Sequence, residues 1–243
     1  MGDILIAGKE LPESLELAVS FTKQNRNVFT SIRTDGELST LEASDMIDAC
    51  LWNKGSAISA RSFLIQGESK LKELDNYLFY FDALYFASKF EYDRTDNISM
   101  ASDTMINSFQ FLANELLFRL EQRKDPVTVT FMVKTYPSKF DILHAGSKAL
   151  NTVPASNIVN SAQEAFIALA QNFATLVQEK QYLSVSLVRC DPSNEYYNNE
   201  EYIAAWISQN LEALKNSKNR QSAKNAATWV KVGSKIAGFS LFK

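Results

Sequence analysis

The sequence predicts an α/β fold with a doubly wound, mainly parallel sheet and helices on both faces. Three observations carry that expectation. Short apolar runs alternate with longer runs of helical period along the chain, the pattern of strands joined by helical crossovers. The chain has 243 residues, enough to bury a large core without disulfide or metal staples. Its first stretch, ILIAGKELPESLELAVSF from Ile4 to Phe21, reads as strand, turn and helix. No internal repeat or low-complexity segment breaks the pattern, so residues 1–243 read as one domain.

Ile4–Ala7 is the first strand, a short apolar run suited to burial on both faces. A helix follows over about Pro12–Lys23, with Leu15, Ala18, Val19 and Thr22 at helical spacing. Pro12 suits a first helical turn, where its missing N–H costs nothing. Val28–Ile32 is the second strand, Leu38–Ala43 a short helical segment and Met46–Trp52 the third strand. Ser56 or Ser59 caps a helix running to about Leu74, with Ile58, Ser62, Ile65 and Leu71 along one side. Tyr77–Phe81 is an aromatic fourth strand, and the run on to Phe86 reads as its continuation. A long helix covers about Ser99–Arg123, followed by a fifth strand at Val127–Val133. The stretch Lys134–Pro154 is irregular. A helix over Asn157–Gln178 and a sixth strand over Tyr182–Arg189 come next. A polar loop, Asp191–Asn199, leads to a helix at Glu201–Lys215. Ser217–Thr228 is linker-like, and Trp229–Phe242 holds one or two short strands.

Composition narrows the function classes. The net charge is −3, and no Lys/Arg block marks a nucleic-acid footprint. Apolar runs stop well short of the roughly 18 residues of a membrane span. The amino terminus has no basic segment ahead of an apolar one, so no signal peptide is read and the cytoplasm is the expected compartment. Cys50 and Cys190 lie in apolar strand-like runs and read as buried thiols. His144 is the lone histidine, in an irregular stretch with Asp141 and Ser147, and neither a catalytic triad nor a zinc site is expected of it. The acidic stretch NEYYNNEEY, Asn194–Tyr202, reads as a solvated loop whose carboxylates complement the next helix.

Three stretches resemble the short-chain dehydrogenase/reductase family, over about Asp3–Pro192: ILIAG with its helix, KELDNYLFYFD at Lys72–Asp82, and SAQEAFIALAQNFATLV at Ser161–Val177, followed by YLSVSLVRCDP. The resemblance implies a Rossmann-like fold. Its functional residues do not carry over. The family's Thr-Gly-x-x-x-Gly-x-Gly turn falls on Ala7, Gly8, Pro12 and Ser14. Its catalytic Tyr-x-x-x-Lys falls on Val159 and Gln163, which can neither exchange a proton nor lower a neighbour's pKa. Tyr136 and Tyr182 have no Lys four residues on. Asn-Asn-Ala-Gly is replaced by Phe81, Asp82, Ala83 and Leu84, and Pro-Gly by Pro192 and Ser193.

A dinucleotide's pyrophosphate needs free backbone N–H groups at a helix start and glycines that let the chain come close. Here Pro12 has no N–H and Ser14 adds a side chain. Glu10 and Glu13 place negative charge where phosphates would arrive, and two like charges about 5 Å apart cost roughly 1 kcal/mol even in water. These carboxylates are expected to complement the helix dipole themselves, with Lys9 offsetting them in part.

No catalytic residue is assigned. The leading expectation is a non-catalytic member of this fold, a pseudoenzyme without cofactor, serving interaction, scaffolding or sensing. The partner protein is not named by the sequence. The alternative is a divergent NAD(P)-dependent oxidoreductase in which Gly8, Arg33 (against a 2′-phosphate) and Asn53 (against an adenine) bind NADP or NAD. A third reading places another small ligand in the same crevice. A two-fold homodimer is expected through helices 99–123 and 157–178. Phe111 and Phe118 lie off the core stripe Met105, Phe109, Leu112, Leu116 and Leu120. In the second helix Ile158, Ala162, Phe166, Leu169, Phe173 and Leu176 read as the core side, with Ile167, Ala170, Ala174 and Val177 as a flatter outer surface.

Overall fold

Ile4–Ala7 and Val28–Ile32 are buried along their whole length, as strands with helices on both sides must be. The computed structural model describes residues 2–34, 45–90, 94–144, 153–216 and 228–236. Within them lie β1 (Asp3–Ala7), β2 (Val28–Ile32), β3 (Ile47–Leu51), β4 (Leu74–Asp82), β5 (Val127–Lys134), β6 (Leu183–Cys190) and β7 (Trp229–Lys231). The order is β3-β2-β1-β4-β5-β6-β7, and every pairing between these strands is parallel. This is the doubly wound order, and the chain reverses direction of travel between β1 and β4. Folds of this kind place ligands there, outside the carboxyl ends of the strands.

The helices are α1 (Leu15–Thr22), α2 (Ala57–Lys70), α3 (Ala83–Lys89), α4 (Ile98–Ser102), α5 (Ser108–Arg123), α6 (Lys139–His144), α7 (Asn157–Val177) and α8 (Glu200–Asn216), with a π-helical turn (Asp103–Asn107) joining α4 to α5. On one face of the sheet, Phe21, Ile203 and Ile207 of α1 and α8 pack with Ile4, Leu78 and Val188. On the other, Phe63, Phe109 and Phe166 of α2, α5 and α7 pack with Leu5, Phe29 and Phe131. Phe166 centres an aromatic cluster: its ring lies 4.9 Å from Phe109, 5.3 Å from Phe81 and 5.9 Å from Phe131. Pairs of this kind contribute about 0.5–1.5 kcal/mol each beyond the area they bury. Gly67 lets α2 approach the sheet, because a side chain there would meet Leu5 and Phe29.

The structure departs from the sequence expectation in local ways with local causes. The first helix starts at Leu15 instead of Pro12, because the preceding turn folds down to bury Leu11. The fourth strand is longer, and Ala83–Lys89 is a helix instead of a strand run-out. Asp82 starts it: its Oδ1 accepts from the Tyr85 N–H at 3.1 Å. A short helix, α6, lies in the stretch read as irregular; Ser138 and Asp141 hydrogen-bond to each other at its start. Three buried stripes are rotated from those drawn on the sequence. Leu17, Ala18, Ser20 and Phe21 are buried in α1, and Ala60, Phe63, Leu64 and Gly67 in α2, where Ile58 and Ile65 face out. In α7 the buried side is Val159, Ala162, Gln163, Phe166, Ala170, Phe173, Ala174 and Val177. Ala170, Ala174 and Val177 are therefore core residues instead of an outer surface, and Leu176 is exposed. On that side small residues let α7 lie close over β5 and β6. The stripe from Met105, in the π-helical turn, along α5 to Leu120 is buried as expected. Leu38–Ala43, Ser147 and residues 217–227 and 237–242 fall outside the described residues.

Candidate functional site

The turn after β1 forms one wall of the strand-end crevice. Gly8 has φ of 145°, and any side chain there would run into the Tyr80 carbonyl oxygen of β4. The glycine is thus required by strand packing. Leu11 is fully buried; its N–H donates to the Ser31 oxygen at 2.9 Å and it bridges to Ile32 at the end of β2. Ser14 precedes α1 without capping it, and its Oγ is buried without a hydrogen-bond partner among the described residues.

Charged side chains converge above the turn from six different segments. Lys9 Nζ lies 2.6 Å from Glu200 Oε1, at the first turn of α8, and 3.8 Å from Asp82 Oδ2, at the end of β4. Lys134, at the end of β5, lies 3.6 Å from the same Asp82 oxygen. The Lys134 ammonium also stands over the Tyr197 ring, 4.7 Å from its centroid. The Tyr197 hydroxyl donates to the Thr135 carbonyl at 2.8 Å. Tyr80, beneath, reaches Asp82 Oδ2 at 3.5 Å. Lys54, from the turn after β3, donates to the Gly8 carbonyl at 2.7 Å and lies 3.7 Å from Glu10. Lys89, at the end of α3, lies 3.4 Å from Glu10.

Burial sets how these groups titrate. Burial opposes charge on Lys9, but Glu200 and then Asp82 outweigh it, so the ammonium is held above its ordinary pKa. For Lys54 burial wins over the attraction of Glu10, and its pKa falls to about 8. Burial pushes both thiols, Cys50 and Cys190, up to about 11, and the Tyr197 phenol well above its usual range.

The sequence-level site residues are placed as follows. Gly8 lies in the crevice wall. Arg33 donates to Glu13 at the crevice edge; that bond raises the guanidinium's pKa, and against burial it lowers that of Glu13. Asn53 shapes the turn into α2: its Oδ1 accepts from the Gly55 N–H at 3.1 Å and its N–H donates to Ser59 Oγ at 2.9 Å. Val159 is fully buried against the aromatic core. Gln163 Oε1 accepts from the Tyr136 N–H at 3.0 Å and so ties α7 to the segment leaving β5. His144 is exposed at the end of α6, its Nδ1 2.8 Å from the Phe140 oxygen, while Asp141 bonds to Ser138. Among the described residues no three His, Cys, Asp or Glu side chains are grouped to hold a metal, and no helix is long and apolar enough to cross a membrane.

Two sequence readings of this region need correction. Lys9 serves Glu200 and Asp82 instead of offsetting Glu10 and Glu13, which are met by Lys54, Lys89 and Arg33. The acidic loop is not simply solvated, since Tyr197 and Glu200 are buried in the crevice. Asp82, Lys134, Lys54, Tyr197 and Glu200 were not legible as a group. The available signal was a charge at the end of an apolar strand, in LFYFD and FMVK.

The turn differs from a glycine-lined dinucleotide cradle: Leu11 and Pro12 stand where close backbone approach is needed, with Glu10 and Glu13, paired to Lys54, Lys89 and Arg33, beside them.

No protein-family model matches the chain, and no curated protein matches it by sequence. Among solved structures the chain is similar to a short chain dehydrogenase from Bacillus anthracis str. 'Ames Ancestor', with a TM-score of 0.62, 12% identity and 94% of each chain covered. It is also similar to ElxO with NADP bound, with a TM-score of 0.61, 12% identity, and 96% of this chain and 97% of that chain covered. A metagenomic short-chain oxidoreductase in complex with NADP gives a TM-score of 0.58 and 10% identity over 95% of this chain and 96% of that one. At such identities the likeness is one of fold: this chain has the Rossmann-like α/β fold of short-chain dehydrogenases/reductases.

Proposed function

We propose that the chain, one domain over residues 1–243, is a pseudoenzyme of the short-chain-dehydrogenase fold that serves as an interaction, scaffolding or sensing module in the cytoplasm. The observation that carries this reading is the crevice itself, where Lys9, Lys54, Lys89 and Lys134 are met by Glu10, Asp82 and Glu200. A group already neutralised by its neighbours has little to offer a substrate. The burial of Val159 and the tie from Gln163 to Tyr136 add support.

The second reading is a divergent oxidoreductase binding NADP or NAD through Gly8, Arg33 and Asn53. It is favoured by the fold likeness to proteins solved with NADP. A screen of carbonyls and alcohols, following absorbance of the reduced cofactor, separates the two. The first reading expects no turnover. Turnover lost on Asp82→Asn or Lys134→Met establishes the second.

The assembly we assign is a two-fold homodimer through α5 and α7. Phe118 is 55% and Leu176 65% exposed on these helices, with Phe111, Ile167 and Leu169 half-buried on them. Exposed apolar groups of this size are stabilised by mutual burial, and two-fold dimers are the commonest closed assemblies.

A further inference from the structure

A sheet covered on both faces is normally apolar throughout, and its buried polar groups are normally hydrogen-bonded. The amino ends of three central strands depart from the first rule, and Thr130 departs from the second. Asn76, Thr128 and Ser184 stand side by side in register across β4, β5 and β6. Alternation puts them on the α8 side, with Leu78, Met132 and Val188. The next row carries Thr130 and Ser186. Ser186 Oγ accepts from Asn210 Nδ2 of α8 at 2.8 Å, while Thr130 Oγ1 is buried with no hydrogen-bond partner among the described residues.

The first of these rows borders a cavity of about 790 Å³ that runs round the amino ends of β5 and β6, between the last turns of α7 and α8. Leu211 gives it an apolar wall on the α8 side, where this row stands, and Val177 and Leu183 line it where it turns round the strand ends to the α7 side. Most charges at its rim have an ion-pair partner: Lys215 with Asp75 at 3.0 Å, Lys180 with Glu121 at 2.6 Å, and Glu212 with Arg26 at 3.0 Å, while Glu179 stands exposed beside them.

We propose that this amino-end cavity is a binding site for a neutral, hydroxyl-bearing small molecule of monosaccharide to nucleoside size. The Thr128 and Ser184 hydroxyls can each donate and accept, which matches ligand hydroxyls of either orientation. The apolar walls take the C–H faces of such a skeleton. An anionic ligand gains little, because it meets Glu179 and must otherwise break a rim ion pair. The volume lies within the roughly 300–1,000 Å³ of small-molecule sites. The cavity is at the opposite end of the strands from the charged crevice, so this inference stands apart from the proposed function.

Amide NMR spectra of the full chain, titrated with D-glucose, myo-inositol and adenosine, test it. At least one probe is expected to give saturable shifts centred on Val127–Thr128, Leu183–Val185 and Leu214–Lys215. Thr128→Val and Ser184→Ala should each weaken that binding about three- to tenfold, the loss of one hydrogen bond. Thermal melts confirm that both variants fold. Glucose 6-phosphate should bind more weakly than glucose. The proposal is overturned if none of the three neutral probes shifts these amides saturably. Shifts that persist in the double variant, or tighter binding of the phosphate ester than of glucose, overturn it equally.

Discussion

Lys9 and Glu200 stand 191 residues apart in the chain and 2.6 Å apart in the fold, joining the turn after β1 to the first turn of α8. The pair joins two segments at the carboxyl ends of the strands, where an open parallel sheet has its switch point. Asp82 and Lys134 extend the pairing inward, so the charges satisfy one another out of reach of bulk water.

Breaking that pair should cost stability without unfolding the chain. Glu200→Gln leaves Lys9 a neutral amide acceptor in place of the near carboxylate, with Asp82 as the remaining, more distant charge. Removing one partner of a buried ion pair costs about 3–5 kcal/mol, and because Lys9 is 14% exposed the lower part of that range is expected. Urea unfolding of Glu200→Gln, Lys9→Met and the double variant measures it. The double variant should cost less than the sum of the singles. Single-variant losses below about 0.5 kcal/mol, the size of an ordinary surface change, would show that the pair is not buried in solution.

Lys54 gives the crevice a pH signature. Its folded pKa, about 8, lies below the ordinary 10.5 because burial penalises the charge. Between those two values the unfolded chain holds more protons than the folded one, so this group's contribution to stability rises with pH. It is fully present above the unfolded value and lost as pH falls through the folded one. The stability of the wild type relative to Lys54→Met should therefore climb from pH 8 to pH 10, by at most about 1.4 kcal/mol per unit. A flat difference across that window would mean Lys54 is hydrated.

Much of the fold is legible in the sequence, because each central strand is an apolar run and each crossover has helical period. LFYF, FMV and LVRC mark β4, β5 and β6 directly. The faces of α2 and α7 were harder to read. Gly67, Ala170 and Ala174 are small, and they are buried because they let the backbone come close, which hydrophobicity alone does not signal. The departure of the first turn from a glycine-lined form was legible from Pro12, Glu10 and Glu13, which are neighbours in sequence. The charge network was not, because Glu200, Lys134 and Lys54 reach that turn only through the strand order.

The outer sides of α5 and α7 make oligomeric state a second axis of test. Light scattering should give about 55 kDa, twice the 27.3 kDa chain. Phe118→Glu should yield monomers, because an unpaired charge buried at an interface costs several kcal/mol. A wild-type monomer at high concentration, or a dimer unaffected by Phe118→Glu with Phe111→Glu, places the contact elsewhere or removes it.

The central claim is that the chain's own side chains fill the nucleotide crevice, and calorimetric titration of the full chain with NADPH tests it most directly. With Leu11 buried in the cradle and Glu10 and Glu13 beside it, a dissociation constant at or above about a millimolar is expected. Micromolar binding, abolished by a change at Gly8 or Arg33, would contradict the account.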